Sequence, residues 1–540
     1  MTATAMPAKE EAAAATAHQQ MSTQHSGIAE DIAESLRALP TGNTFGVRVI
    51  HTSDHPVTSL TPRRHYKDLF AANTFSRRIL ILVSQDDCLV AALEAHEFTS
   101  ILVEIATNAS PPQTTVAVDA CIEKVDTSGE LSVRVPLVRA IVAGYLVSLR
   151  RHQRTLGCPS AGVHLFARSQ PEYLFAKSKD NSHKHILGDL ALVKWWMKTL
   201  HFALAYAVGK CLVSHKCCSN ANAAATTVPS LDVDNGQSAC LSCRHTAVAN
   251  CIVPGSAESE SPWFHRQDAE SSGINAAAAA AAAITSGVTT SSPTTRSYKE
   301  HNGQGLHTID DMAESKLVAP NASVISSSQA PIVSKDKEGS NLLTPDLLAA
   351  NANVEWKWGL PYPLNARAHD CVLQFPDDPI TRLLEAKHSG TWPVSMLLEI
   401  LSVSEECGSG RRTAYFSASL PLPRNSVKMA NSLAAAADPA PNTTAGQSPL
   451  SFEDYDKVLI ELFDENMDFS TTVQARNSSK RLFDFLDAQF SIQPTAVSTS
   501  GKAPVKAMPG PPGAEEPKKH EAPKVNDLTM AIRKKRKVVK

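Results

Sequence analysis

Asp377 and Asp378 stand side by side in the run FPDDP at 375–379, directly ahead of a helical pattern over 380–387. Asp378 followed by Pro379 is the pairing of a helix N-cap with proline at the first helical position. Two carboxylates at a helix start can also face a cleft, where one of them takes a proton from a nucleophile. A helix N-terminus lowers a carboxylate pKa, so such a base needs burial or its neighbour's charge to push it back up. The two readings are compatible. A second group is Glu172, Tyr173, Leu174 and Phe175, then NSHKHIL at 181–187, then Lys194, Trp195 and Trp196. Successive helical residues point about 100° apart, so the two tryptophans cannot share a direction. One can enter a core while the other lines a pocket, where a flat apolar wall suits a lysine stem or a pantetheine arm. A third group is His215, Cys217, Cys218, Cys240, Cys243 and His245. It offers one C-x-x-C, but the adjacent pair Cys217 and Cys218 lacks the loop with which two thiolates grip one tetrahedral zinc, so unligated cysteines are the expectation.

Elements that could position these groups are legible in the hydrophobic pattern. Short β-branched runs at 76–83, 98–107 and 114–124 read as strands, as does 162–166. The stretch 135–151 places Leu137, Val138, Ile141, Val142, Tyr145 and Leu146 at helical spacing, with basic residues in its last turn. A second helix is predicted over 189–208, with Asp189 as its N-cap. From 214 to 345 the texture changes to alanine, serine and threonine tracts, a composition that buries too little surface to offset chain entropy. It reads as a low-complexity insertion with an ordered island at 251–266. Order resumes near Asp346, with 355–362 and 372–384, then a hairpin of 395–404 and 412–420 around Gly408 and Gly410. A loop over 421–448 and two helical patterns in 451–486 follow. The predicted organisation is a leader at 1–43, one globular domain in two pieces (44–213 and 346–490) and a tail at 491–540 that is Pro-rich, then basic. The fold class is α/β, a single large mixed sheet flanked by helices and interrupted by the insertion.

The chain has 540 residues and a net charge of −2, and that average conceals two unlike parts. Residues 502–540 hold eleven Lys/Arg against four Asp/Glu, a net +7, which leaves −9 on the other 501 residues. An acidic body attracts a basic partner, while the run RKKRK at 533–537 reads as a nuclear import address. The most apolar stretch, 200–208, is too short to span a bilayer, and no secretory pattern opens the sequence. Neither a P-loop, nor a dinucleotide-binding glycine motif, nor a nucleophile elbow is present.

Arg168, Tyr173 to Phe175, KHIL at 184–187, Lys194 to Trp196 and FPDDP at 375–379 occur in this order, separated by a variable insertion. That series resembles the fungal-specific histone H3 lysine acetyltransferases of the regulator-of-Ty1-transposition type, which are structurally akin to metazoan coactivator acetyltransferases. The resemblance implies acetyl transfer from acetyl-CoA to lysines of H3, without a metal. It implies Asp378 as the catalytic carboxylate, supported by Asp377, and a substrate-lysine channel lined by Tyr173 and Trp196. Acetyl-CoA contacts carried over are Phe166 and Gln170, then His185, Ile186, Leu187 and Trp195, and a segment of Val125, Asp126, Thr127, Glu130, Leu131, Ser132, Val133 and Arg134. Partners implied are H3–H4 and histone chaperones of the nucleosome-assembly-protein and anti-silencing types, with roles in replication-coupled nucleosome assembly, DNA damage response and transcription regulation. No membrane and no sequence-specific DNA are expected among them. Relatives carry a self-acetylated lysine two positions after the Asp pair; here that position is Ile380. The alternatives are a non-catalytic chromatin scaffold that keeps the fold, and a zinc-dependent nucleic-acid module within the insertion.

Overall fold

The computed structural model describes residues 27–40, 42–57, 69–104, 114–131, 135–214, 246–261, 263–264, 353–372, 374, 379–386, 388–403, 413–422 and 448–501. Its frame is one mixed sheet. The strands are β1 (Thr44–His51), β2 (His55–Val57), β3 (Leu69–Gln85), β4 (Cys88–Glu104), β5 (Thr114–Thr127), β6 (Ser160–Ala167), β7 (Thr246–Ile252), β8 (Asn353–Trp358), β9 (Ala414–Pro421) and β10 (Thr495–Ser498). They lie in the order β10-β1-β3-β4-β5-β6-β9-β7-β8, with β2 paired to β3. Pairing is antiparallel except for β5 with β6 and β7 with β8. The β3–β4 hairpin turns on Asp86 and Asp87, both at positive φ (49° and 60°), the backbone that a two-residue turn matching strand twist requires.

Alternation along the central strands builds two cores. Ile79, Ile81 and Val83 face helices α1 (Ile28–Arg37), α2 (Leu137–Thr155) and α3 (Asp189–Ser214). Leu80 and Leu82 face the opposite layer, α7 (Phe452–Leu462) and α8 (Thr472–Phe490). A third cluster is formed by α4 (Ala368–Cys371), α5 (Pro379–Leu384) and α6 (Val394–Val403), which cover the β9 region through Ile380, Leu384, Leu397 and Leu401, packed with Tyr415 and Phe166. The α/β class and single mixed sheet expected from the pattern are therefore what the chain adopts.

Several local assignments change. Residues 28–37, placed in the leader, form α1, which crosses α2 at Gly144; a Cβ there would lie 2.6 Å from Ile32 Cα, so only glycine permits this approach. Asp189 is the first helical residue of α3 rather than its cap, and Leu192 N–H donates to Gly188 O at 2.8 Å. Residues 246–252, given to the insertion, form β7 between β9 and β8. Residues 394–403 are helix α6, not a hairpin strand, and Gly408 to Gly410 lie outside the described residues. Residues 495–498, placed in the tail, close the sheet beside β1. The cysteine and histidine cluster at 215–245 also falls outside the described residues, as do the basic run and all of 502–540. Among the described residues, no helix is long and apolar enough to cross a membrane.

The α1–α2 contact buries Asp31, which pairs with Arg151 on α2 while Lys210 on α3 pairs with Glu34. Burial raises the Asp31 pKa from 3.8 to about 7, against the pull of Arg151. Between these values the folded state holds a proton that the unfolded state lacks, so docking weakens as pH rises through about 7. Hydrogen exchange of 28–37 is expected to accelerate beyond the intrinsic rate as pH rises from 3.8 to about 7, by at most about tenfold per unit, and to gain no further excess above that. Asp31→Asn is expected to abolish that excess; an unchanged excess would contradict the assignment.

Candidate functional site

β5 and β6 are parallel neighbours joined through α2, so their C-terminal ends and the start of that helix surround one crevice, the usual ligand position in a parallel α/β unit. β5 delivers Glu123, Val125, Asp126 and Thr127 to its wall, and β6 delivers Phe166. The chain then runs through residues 168–188 before entering α3, whose early turns supply Trp195 and Trp196.

That connection has little regular structure, and its order comes from side chains. Asp126 Oδ2 accepts the backbone N–H groups of Tyr173, Leu174 and Phe175 at 2.8, 2.9 and 3.2 Å. Its Oδ1 accepts Lys184 Nζ at 2.7 Å and the N–H of Thr127 at 2.8 Å. The Asp126 and Lys184 side chains are only 5% and 6% exposed, so this ion pair is out of water and fully hydrogen-bonded. Lys184 also donates to Ser178 Oγ at 2.7 Å, and Asn181 Nδ2 reaches the carbonyls of Ser128 and Phe469 at 3.1 and 3.2 Å. The turn leaving β5 needs Gly129 at φ +95°; a Cβ there would meet Lys184 N at 2.9 Å.

The cavity measures about 400 Å³ and opens to solvent. Tyr173, Trp196, Phe166, Gln170, Val125, Asp126 and Thr127 line it, together with His185, Ile186, Leu187 and Trp195. Ile186 is 44% exposed. The tryptophans divide as their spacing predicts: Trp196 is buried and Trp195 half-buried, with ring centroids 4.9 Å apart at 73°. Burial pushes the Tyr173 phenol up to about 12 while Arg168 pulls it down, so it stays protonated and donates to the Arg168 carbonyl. A wider chamber of about 1100 Å³ shares Thr127, Lys184, His185 and Trp195 and continues past Glu130 and Leu131 to Arg139 and Arg476.

One expected role changes in kind. Asp126 belongs to the cavity wall, but five donors occupy its carboxylate, which therefore organises the 168–188 segment and leaves only main-chain groups to meet a ligand. Ser132, Val133, Arg134, Asp377 and Asp378 lie outside the described residues, although α5 begins at Pro379. Ile380 is 2% exposed within the α4–α6 cluster. Glu123, on the cavity wall, was not singled out by motif reading. It is the extra residue at the register shift between β4 and β5, where Glu94 pairs with Lys124 and Ala95 with Ile122, and no sequence pattern marks that irregularity.

Residues 157–271 match the family model of the histone acetyltransferase KAT11-type domain. Over 178 residues the chain is 33% identical to the histone acetyltransferase rtt109 of Aspergillus flavus, covering 30% of this chain and 28% of that relative. Over 55 residues it is 42% identical to the histone acetyltransferase rtt109 of Schizosaccharomyces pombe, covering 10% of this chain and 15% of the relative. The alignments thus span less than a third of the curated relatives' length. The crystal structure of Rtt109 from Aspergillus fumigatus is similar in fold, with a TM-score of 0.50 and 20% identity, over 88% of this chain and 100% of that one.

Proposed function

We propose, with a histone acetyltransferase KAT11-type domain in residues 157–271 as the premise, that this chain transfers acetyl groups from acetyl-CoA to lysines of histone H3. The observation that carries the reading is the cavity where β5 and β6 end, which gathers Phe166, Tyr173, Ile186, Trp195 and Trp196 along its wall. Its fit to an acyl thioester rests on that donor set. Trp195, Phe166 and Ile186 offer flat, water-excluding surface for a pantetheine arm, and the adjoining chamber brings Arg139, His183, His185 and Arg476 toward an anionic end. Bound acetyl-CoA supplies an activated acyl group.

The chain's own residues then prepare the nucleophile. A lysine amine with an ordinary pKa near 10.4 is mostly protonated at neutral pH and must lose a proton before it can attack. Tyr173 and Trp196 enclose its stem, and their low polarity disfavours the ammonium, which lowers that pKa. The neutral Tyr173 phenol, held by the Arg168 carbonyl, adds no charge to the channel. By the resemblance, Asp378, supported by Asp377, is the carboxylate that engages the attacking amine. The net charge of −9 outside the tail suits a basic histone substrate, and the run at 533–537 suits action in the nucleus. Histone chaperones of the nucleosome-assembly-protein and anti-silencing types are the proposed activating partners.

Acetylation of H3–H4 by the purified chain, read by mass spectrometry, tests the reading. The wild type is expected to modify H3, and Asp378→Asn to lower the rate by about 10²-fold or more. Equal rates would remove Asp378 from the chemistry, and a wild type that transfers nothing would favour the scaffold alternative.

A further inference from the structure

Among the described residues, two carboxylates face the 400 Å³ cavity, and one of them, Glu123, has capacity to spare. Asp126 is saturated by its five donors. Glu123 is not. Its Oε1 stands 3.0 Å from Nδ1 of His96 on the neighbouring strand β4, at an angle outside hydrogen-bond geometry. Neither that oxygen nor either ring nitrogen of His96 has a hydrogen-bond partner among the described residues. Both side chains are nearly covered, at 11% and 8% exposure. Buried polar atoms are rarely left so, and where they are, a reacting or binding role is a frequent cause.

The surrounding charges are already paired with one another. Arg78 on β3 contacts Glu94 at 3.0 Å and Asp456 at 2.9 Å, and Lys124 contacts Glu94 at 2.7 Å. Tyr455 of α7 lies under the Arg78 guanidinium, 4.7 Å from ring centroid to carbon, and burial drives its phenol far up, so it remains neutral. His55 of β2 completes the group; burial lowers its pKa, and His96 and Arg78 push the same way. Glu123 and His96 are thus a carboxylate and an imidazole in line, one end on the cavity and the other toward this cluster.

We propose that Glu123, backed by His96, accepts the proton lost by a substrate lysine in the cavity. This rests on the acetyl-transfer reading and places the final proton acceptor on Glu123 rather than on Asp378, the catalytic carboxylate that the resemblance implies. One ammonium N–H bond breaks, its electron pair stays on nitrogen, and an O–H bond forms on Glu123. The freed amine attacks the thioester carbonyl, the C–N bond forms, the C–S bond breaks, and the departing thiolate takes a second proton from that nitrogen. His96 receives the proton from Glu123 and releases it to solvent, which resets both groups. Asp378 engages the amine without being the final acceptor.

The test uses the full chain with acetyl-CoA and H3–H4, measuring kcat across pH for wild type, Glu123→Gln, His96→Gln and Asp378→Asn, with acetyl-CoA affinity by calorimetry and thermal unfolding alongside. Glu123→Gln keeps the side chain's shape. It is expected to lower kcat by about 10²-fold and to flatten the acidic limb of the pH profile, with acetyl-CoA affinity and unfolding temperature unchanged. His96→Gln is expected to displace that limb, and Asp378→Asn to lower the rate while keeping it. A wild-type profile in Glu123→Gln, or an acidic limb lost only in Asp378→Asn, would overturn the assignment while leaving acetyl transfer in place. A wild type that binds acetyl-CoA but acetylates nothing would overturn the functional reading, and the proton acceptor with it.

Discussion

Asp126→Ala is expected to cost about 3–5 kcal/mol of stability, because it leaves the buried Lys184 ammonium without its counter-charge. It also removes the acceptor for the N–H groups of Tyr173, Leu174 and Phe175. Those residues begin the segment that carries Tyr173 and His185 to Leu187 into the cavity. A shift of about 1 Å in such a wall is enough to lower a rate by about 10²-fold, so activity should fall at least that far even where the protein remains folded. Asp126→Ala combined with Lys184→Met separates the two effects. The double variant regains the part of the stability lost to the orphaned charge, but not activity, since the three N–H groups still lack their acceptor. Denaturant unfolding and acetyl-transfer rates on the four proteins of this cycle measure both quantities. Full activity in Asp126→Ala would mean that the segment is held by something other than this carboxylate.

The neighbouring tryptophans should respond differently to the same truncation. Trp196 is 5% exposed and belongs to the core shared by the sheet and α3, so Trp196→Ala is expected to cost about 3–5 kcal/mol and to open the substrate channel. Trp195 is half-buried and touches both chambers, so Trp195→Ala should cost much less stability and instead weaken acetyl-CoA binding. Unfolding midpoints and calorimetric affinities for the two variants decide the point. Equal loss of affinity with equal loss of stability would show that the rings are not divided between packing and ligand.

Much of this was legible because the relevant segments are long and strongly periodic. Helices α2 and α3 and strands β5 and β6 stand close to where their patterns put them, and together they frame the cavity. The misses have separate physical causes. Residues 88–97 form a central strand built from Ala, Leu and Glu rather than β-branched residues, so only their pairing with β3 and β5 makes them a strand. The run VSMLLEILSV is apolar enough to fit either period, and its packing with Tyr415 settles it as α6. β7 is seven residues long inside polar low-complexity sequence, and nothing local marks it as the partner of β9. At the site, motif spacing pointed to side chains such as Trp195, but the saturation of Asp126 and the open valence of Glu123 depend on contacts among β4, β5 and the 168–188 segment, which no local pattern encodes.

β1 pairs with β3 on one side and with β10 on the other, at a register of Thr44 opposite Ser498. During synthesis the first strand therefore emerges more than four hundred residues before the partner that covers its outer edge. Likewise β6 has its edge completed by β9, made some 250 residues later. So high a contact order slows folding and prolongs the exposure of unpaired strands. A nascent chain stopped before Thr495 carries an open, aggregation-prone edge at its N-terminal side, and so translation through β10 becomes a condition for covering that edge.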